Sequence, residues 1–151
     1  MIIWLDADSL PRKVRDTVAR AACREGIDAF FVANRPVPFE TPPGCNTLEM
    51  LVCSDEKTAD EEIAARVLPG DLVITRDIPL AARLLELEAA VINDRGDRFD
   101  RDSIAERLSQ REWNLQLKEA GLAGSRGRSY GAGELKRFAD RFDRELRRLL
   151  I

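Results

Sequence analysis

The chain has 151 residues, 44% hydrophobic and 34% charged, with a net charge of −3; that balance predicts one folded domain with a sizeable core and argues against a disordered polypeptide. No apolar stretch approaches the roughly 18 residues needed to cross a membrane, and Met1-Ile2-Ile3-Trp4 runs straight into acids without a basic leader, so the reading is a cytoplasmic protein with no signal peptide and no membrane partner. Histidine is absent, which removes Ser-His and Cys-His nucleophiles, histidine bases and histidine-ligated zinc, and leaves catalysis to carboxylates, Lys, Arg, Ser, Thr or a metal.

The apolar run from Ile2 to Leu5 reads as a strand and ends in Asp6-Ala7-Asp8. A helix follows from about 10 to 25, with Pro11 tolerated in its first turn, an apolar stripe of Val14, Val18, Ala21 and Ala22, and Gly26 as its stop. Residues 28–33 form a second strand, and a loop with Pro36, Pro38, Pro42, Pro43 and Gly44 leads to a third near 47–53. Thr58-Ala59-Asp60-Glu61 has capping-box form and opens a helix through Leu68, closed by Pro69-Gly70. Strand 71–75 ends in Arg76-Asp77 and leads into helix 78–87, where Ile78, Ala81, Leu84 and Leu85 fall at helical spacing. Strand 89–93 ends in Asn93 and the turn Asp94-Arg95-Gly96-Asp97, after which Ser103-Ile104-Ala105-Glu106 opens a helix toward about 118.

Gly121 to Gly133 holds five glycines and reads as a flexible loop. Leu135, Phe138, Phe142, Leu146 and Leu149 then stripe a last helix, which must dock on the domain or on a partner subunit; the second option is a homodimer. Strands alternating with helices predict a three-layer α/β fold around a mainly parallel sheet. The expected organisation is an α/β domain over 1–120, the Gly-rich loop over 121–133 and the C-terminal helix over 134–151. Cys23, Cys45 and Cys53, odd in number and without a CxxC pair, are expected as reduced, partly buried thiols. Residues 1–120 carry 16 Lys+Arg against 23 Asp+Glu, a net of −7, while residues 121–151 carry 8 against 4, a net of +4. An acidic body with a basic tail is compatible with metal and nucleic-acid binding.

An open parallel sheet gathers ligands at the carboxyl ends of its strands, so Asp6, Asp77 and Asn93 are expected along one edge. Crowded carboxylates raise one another's pKa values unless a cation sits among them, and oxygen ligands favour Mg²⁺ or Mn²⁺. Asp6 is the first candidate ligand; Asp8 and Asp77 can serve both as ligands and near helix starts. Asp60 falls on the helix face that carries Ile63, Ala64 and Val67, where an inward carboxylate needs a partner. Glu61 and Glu62 fall to the sides. Arg95, in a turn where Gly96 supplies a positive φ, suits a phosphate, and Asn93, Ser9 and Thr75 are the other candidate phosphate or substrate contacts. Asp55 and Glu56 read as loop charges, and Asp94, Asp97, Asp100 and Asp102 as turn and cap residues.

Several segments carry a resemblance: Trp4-Leu5-Asp6-Ala7-Asp8-Ser9-Leu10-Pro11, Val32-Ala33-Asn34, Thr58-Ala59-Asp60-Glu61-Glu62-Ile63, residues 69–81, Asn93-Asp94-Arg95-Gly96 and Arg137-Phe138-Ala139. Together they resemble the YaiI/YqxD family of bacterial proteins of unassigned function, whose PIN-like fold is related to the PIN and NYN ribonucleases. The likeness spans nearly the whole chain. It departs at Ser9-Leu10, where the family usually has Ala-Cys, and at Asp94, where it usually has Pro; neither change removes a carboxylate from the acidic set.

The resemblance implies that Asp6, Asp60 and Asp77 occupy the PIN-type catalytic positions, with Asp8 as an auxiliary. Mg²⁺ or Mn²⁺ among them would activate water for phosphodiester hydrolysis, with RNA the expected substrate. A competing resemblance is that of residues 4–9 to the first motif of haloacid-dehalogenase-like phosphotransferases. There Asp6 would be the nucleophile, Asp8 the general acid and Thr75 a phosphate binder, but residues 78–117 lack the lysine that such a site needs. A third reading is a non-catalytic nucleotide- or RNA-binding module, with Lys and Arg of the Gly-rich loop and last helix carrying the affinity.

Overall fold

A computed structural model describes residues 1–54, 56–121 and 129–151; the reading of Asp55, and that of the loop at 122–128, lies outside the described residues. Six strands form one sheet: β1 (Ile3–Asp6), β2 (Ala29–Ala33), β3 (Leu48–Val52), β4 (Leu72–Ile74), β5 (Ala90–Ile92) and β6 (Arg98–Phe99), in the order β3-β2-β1-β4-β5-β6. Neighbours run parallel except β5 and β6, which pair antiparallel. The sequence reading did not contain β6, because two residues hold no period to detect.

Five helices, α1 (Arg12–Glu25), α2 (Ala59–Arg66), α3 (Ile78–Glu86), α4 (Arg101–Glu119) and α5 (Ala132–Leu149), flank the sheet, and a 3₁₀ turn (Ala7–Ser9) follows β1. Alternate residues of each strand face opposite layers. Ile3 and Leu5 of β1 pack with Val14 and Val18 of α1 and with Phe138, Phe142 and Leu146 of α5. Trp4 points the other way, into Ile63 of α2, Leu80 and Leu84 of α3, and Phe99. Burial on both faces explains why the central strands read as unbroken apolar runs. The result is the expected three-layer α/β architecture with a C-terminal helix.

The last helix docks on its own domain. Phe138, Phe142 and Leu146 are buried, and each contributes about 1.5–3 kcal/mol relative to exposure. Its approach is close at Gly96, whose φ of +85° needs glycine and where an added Cβ would lie 2.5 Å from the Arg137 carbonyl oxygen. Tyr130 adds a clamp, its hydroxyl donating to the Asp94 carbonyl at 2.7 Å.

Helix boundaries follow their caps. Gly26 ends α1 in the left-handed region, and Thr58 and Asp77 accept from Glu61 N and Leu80 N. At α4 the expected Ser103 cap is replaced by Asp100, whose carboxylate accepts from Ser103 N at 2.8 Å, so the helix begins at Arg101. Both residues are acceptable caps, and a carboxylate gains more from the helix dipole than a hydroxyl does.

The cysteine expectation needs correction. Cys23 and Cys45 form a disulfide with Cα atoms 5.7 Å apart, and Cys53 is the one free thiol. Spacing in sequence does not reveal this pair, because the Pro-rich loop folds back across the end of α1 to bring them together.

The candidate acidic cleft

Strand order reverses its direction of growth between β1 and β4. The chain leaves β1 through α1 toward β2, then returns through α2 to β4 on the other side. Helix α1 packs on one face of the sheet and α3 on the other, so their starts diverge and open a crevice at the carboxyl ends of β1 and β4. Asp6, Asp8, Ser9, Arg76, Asp77 and Arg111 line an open cleft there of about 510 Å³.

Asp6 is the last residue of β1 and is buried. Its Oδ2 accepts from Thr75 Oγ1 at 3.0 Å and from Ser9 Oγ at 3.1 Å. Among the described residues Oδ1 has no hydrogen bond. Burial raises the Asp6 pKa above its ordinary value, the bonds from Thr75 and Ser9 pull it down, and the charges of Asp77 and Asp8 push it up again. Thr75, fully buried at the end of β4, also accepts from Asp77 N at 3.0 Å. Asp77 caps α3 through Oδ1, at 2.9 Å from Leu80 N. Its cap role and its place in the cleft therefore coexist.

Asp60 reaches the same centre from the first turn of α2. Its pKa is raised from 3.8 to about 6, first by burial, then by the charges of Asp6 and Asp77, then by a hydrogen bond shared with Asp77. A cation placed among these carboxylates would relieve their repulsion. Asp8 sits at the exposed rim and accepts from Asn34 N at 2.7 Å. Thus Asp6, Asp60 and Asp77 meet at the crevice, with Asp8 beside them and with Ser9 and Thr75 holding Asp6.

Asn93 and Arg95 are directed elsewhere. Asn93 Oδ1 accepts from Arg95 N and Asp97 N, both at 2.9 Å, so its amide organises the β5–β6 turn. Arg95 faces α5, 4.0 Å from Glu134. Two arginines that the sequence does not single out as site residues, Arg76 and Arg111, line the cleft instead. Arg76 is half exposed and lies 3.7 Å from the buried Asp94 carboxylate; its place beside Asp77 was the available signal. Arg111 comes from α4, far along the chain, and nothing local marks it. Asp94, read as a turn residue, is buried with its pKa raised, by desolvation first and against the pull of Arg76 and Arg95.

Among the described residues no three Asp, Glu or Cys side chains are already disposed to hold a metal ion. The donor chemistry does fit a hard divalent cation, since it offers carboxylate oxygens without thiolate or imidazole. Closing a coordination shell requires rotation of these carboxylates.

Comparison with other proteins identifies the family of the chain. Residues 4–148 match the family described as "Uncharacterized BCR, YaiI/YqxD family". The chain is 45% identical over 150 residues to a UPF0178 protein of Treponema pallidum, covering 99% of this chain and 84% of that one. It is 44% identical over 146 residues to a UPF0178 protein of Xanthomonas campestris pv. campestris, at 97% and 90% coverage. A Vibrio vulnificus UPF0178 protein is 38% identical over 146 residues, with 97% of each chain covered. No solved structure matches the chain. With the match running through β1, the acidic cleft and most of α5, the chain belongs to the YaiI/YqxD family.

Proposed function

We propose that the protein is a divalent-metal-dependent phosphodiesterase of the PIN type acting on RNA, with Asp6, Asp60 and Asp77 holding Mg²⁺ or Mn²⁺ and Asp8 assisting at the rim. The observation that carries this reading is the convergence of carboxylates from β1, α2 and the start of α3, where burial first and the charges of Asp6 and Asp77 second raise the Asp60 pKa to about 6. Natural structures rarely crowd like charges without a use for them. When bound, the ion would polarise a phosphodiester and lower the pKa of its water.

The residues of the chain divide the remaining work. Ser9 and Thr75 fix Asp6 through one oxygen and leave the other for a ligand. Leu80 N fixes Asp77 in the same manner. Arg76 and Arg111 line the cleft with guanidinium groups suited to phosphate oxygens. The phosphotransferase alternative draws less support, because the Thr75 hydroxyl is engaged by Asp6 and Asp77 N and the cationic lining is arginine, not lysine.

The test is cleavage of end-labelled RNA by purified protein with millimolar Mn²⁺ or with chelator. Metal-dependent cleavage by wild type that disappears in Asp6→Asn is the expected outcome. Equal cleavage by the two proteins refutes the assignment.

A further inference from the structure

Helix α4 has 19 residues, none of them buried. Arg107, Gln110, Arg111, Asn114 and Lys118 recur at helical spacing and so share one face. With Ile78 and Leu115 they line a groove of about 360 Å³ where α4 meets the start of α3. Every polar side chain on that face is a cation or an amide, within a body that is otherwise net acidic. Arg111 lines both this groove and the acidic cleft, and Ile78 directly follows Asp77, so the two are continuous.

Position favours this face over the basic last helix. Lys136 and Arg144 of α5, like Arg111 and Lys118 of α4, have no ion-pair partner among the described residues, but no α5 side chain lines the acidic cleft. On α5, Arg137 pairs with Glu134, Arg141 and Arg148 with Glu145, and Arg147 with Asp143. Arg107 lies over the Phe99 ring at 5.0 Å and 3.8 Å from Asp97. From Arg107 to Lys118 the track runs about 16 Å at about 1.5 Å per residue, enough to follow several phosphates.

We propose that this face of α4 binds a single-stranded polynucleotide and leads it into the acidic cleft. Arg107, Arg111 and Lys118 would take the phosphates, and the apolar floor of Ile78 and Leu115 would take a base. A duplex keeps its bases stacked inside and would leave that floor uncovered, whereas single-strand sites combine cations with base contacts. The inference deepens the nuclease reading and rests on it for the destination of the strand.

The test is fluorescence anisotropy of a fluorescein-labelled oligouridylate in chelator, which separates binding from cleavage. It compares wild type, Arg111→Gln/Lys118→Gln and an α5 control, Arg144→Gln/Arg147→Gln; all four positions are exposed, so melting curves should coincide. The α4 variant is expected to bind roughly tenfold more weakly, with the slope of log affinity against log salt flattened by about 1.4, while the control keeps wild-type values. Wild-type affinity and slope in the α4 variant, or no binding by wild type at low salt, overturns the track. Equal affinity for a duplex of the same length overturns the single-strand assignment. The two readings fail separately. Asp6-dependent cleavage with unaltered α4 binding keeps the nuclease and discards the track; α4-dependent binding without Asp6-dependent cleavage does the reverse.

Discussion

Replacing Asp60 with Asn tests whether the cleft penalises an ionised Asp60, by burial first and by the charges of Asp6 and Asp77 second. The amide keeps the shape of the side chain and can still donate to Asp77, but it cannot ionise. In the folded protein the Asp60 pKa stands at about 6 against an ordinary 3.8. At about 1.36 kcal/mol per pH unit that corresponds to about 3 kcal/mol. Asp60 is only partly buried, so solvent screening reduces the figure to about 1 kcal/mol. The sign follows from proton binding: between 3.8 and about 6 the folded state holds the proton more tightly than the unfolded chain. The contribution of this group to stability is therefore full below 3.8 and is lost as pH rises through about 6. Urea denaturation in chelator at a series of pH values reads this directly. Asp60→Asn should match wild type near pH 4 and exceed it by about 1 kcal/mol near pH 8. Adding millimolar Mn²⁺ should then favour wild type, which keeps the full ligand set. A variant less stable than wild type at pH 8 without metal, or a difference that does not change with pH, refutes the argument.

Other perturbations probe the frame around the cleft. Asp71, buried at the opposite end of β4, accepts from Ile2 N, Trp4 Nε1 and Leu68 N at 2.9, 3.1 and 2.9 Å; Asp71→Ala should cost about 3 kcal/mol in urea denaturation, and a loss below about 1 kcal/mol counts against its anchoring role. Gly96→Ala combines a left-handed backbone with a 2.5 Å approach to the Arg137 carbonyl and should lower stability by about 2–4 kcal/mol, read as a drop in melting temperature. Thiol titration of unreduced, denatured protein should find Cys53 alone reactive, and reduction should lower stability by about 3 kcal/mol. Three reactive thiols in air-oxidised protein would restore the reduced-cysteine expectation.

Element types were legible wherever the local pattern was long. The stripe Leu135, Phe138, Phe142, Leu146 and Leu149 declared an amphipathic helix because a period of 3.6 repeats through it, and the runs at β1, β4 and β5 declared strands buried on both faces. Asp6, Asp60 and Asp77 could be singled out because each sits where a strand ends or on an apolar helix face, where a carboxylate has no reason of its own to be. Residues whose importance depends on distant neighbours were silent. Arg111 looks like any surface cation until α4 swings it over the cleft, and Asp71 like a loop acid until the indole of Trp4 meets it. Asn93 and Arg95 share the strand-end position of Asp6, yet the tight β5–β6 turn captures the Asn93 amide and α5 draws Arg95 away. Local sequence determined the elements, their order and the acids at the strand ends, because hydrophobic period and caps act within a few residues. Tertiary structure alone decided which of those acids face one another, which arginines join them and which cysteines pair, because contacts across 20 to 70 residues leave no local trace.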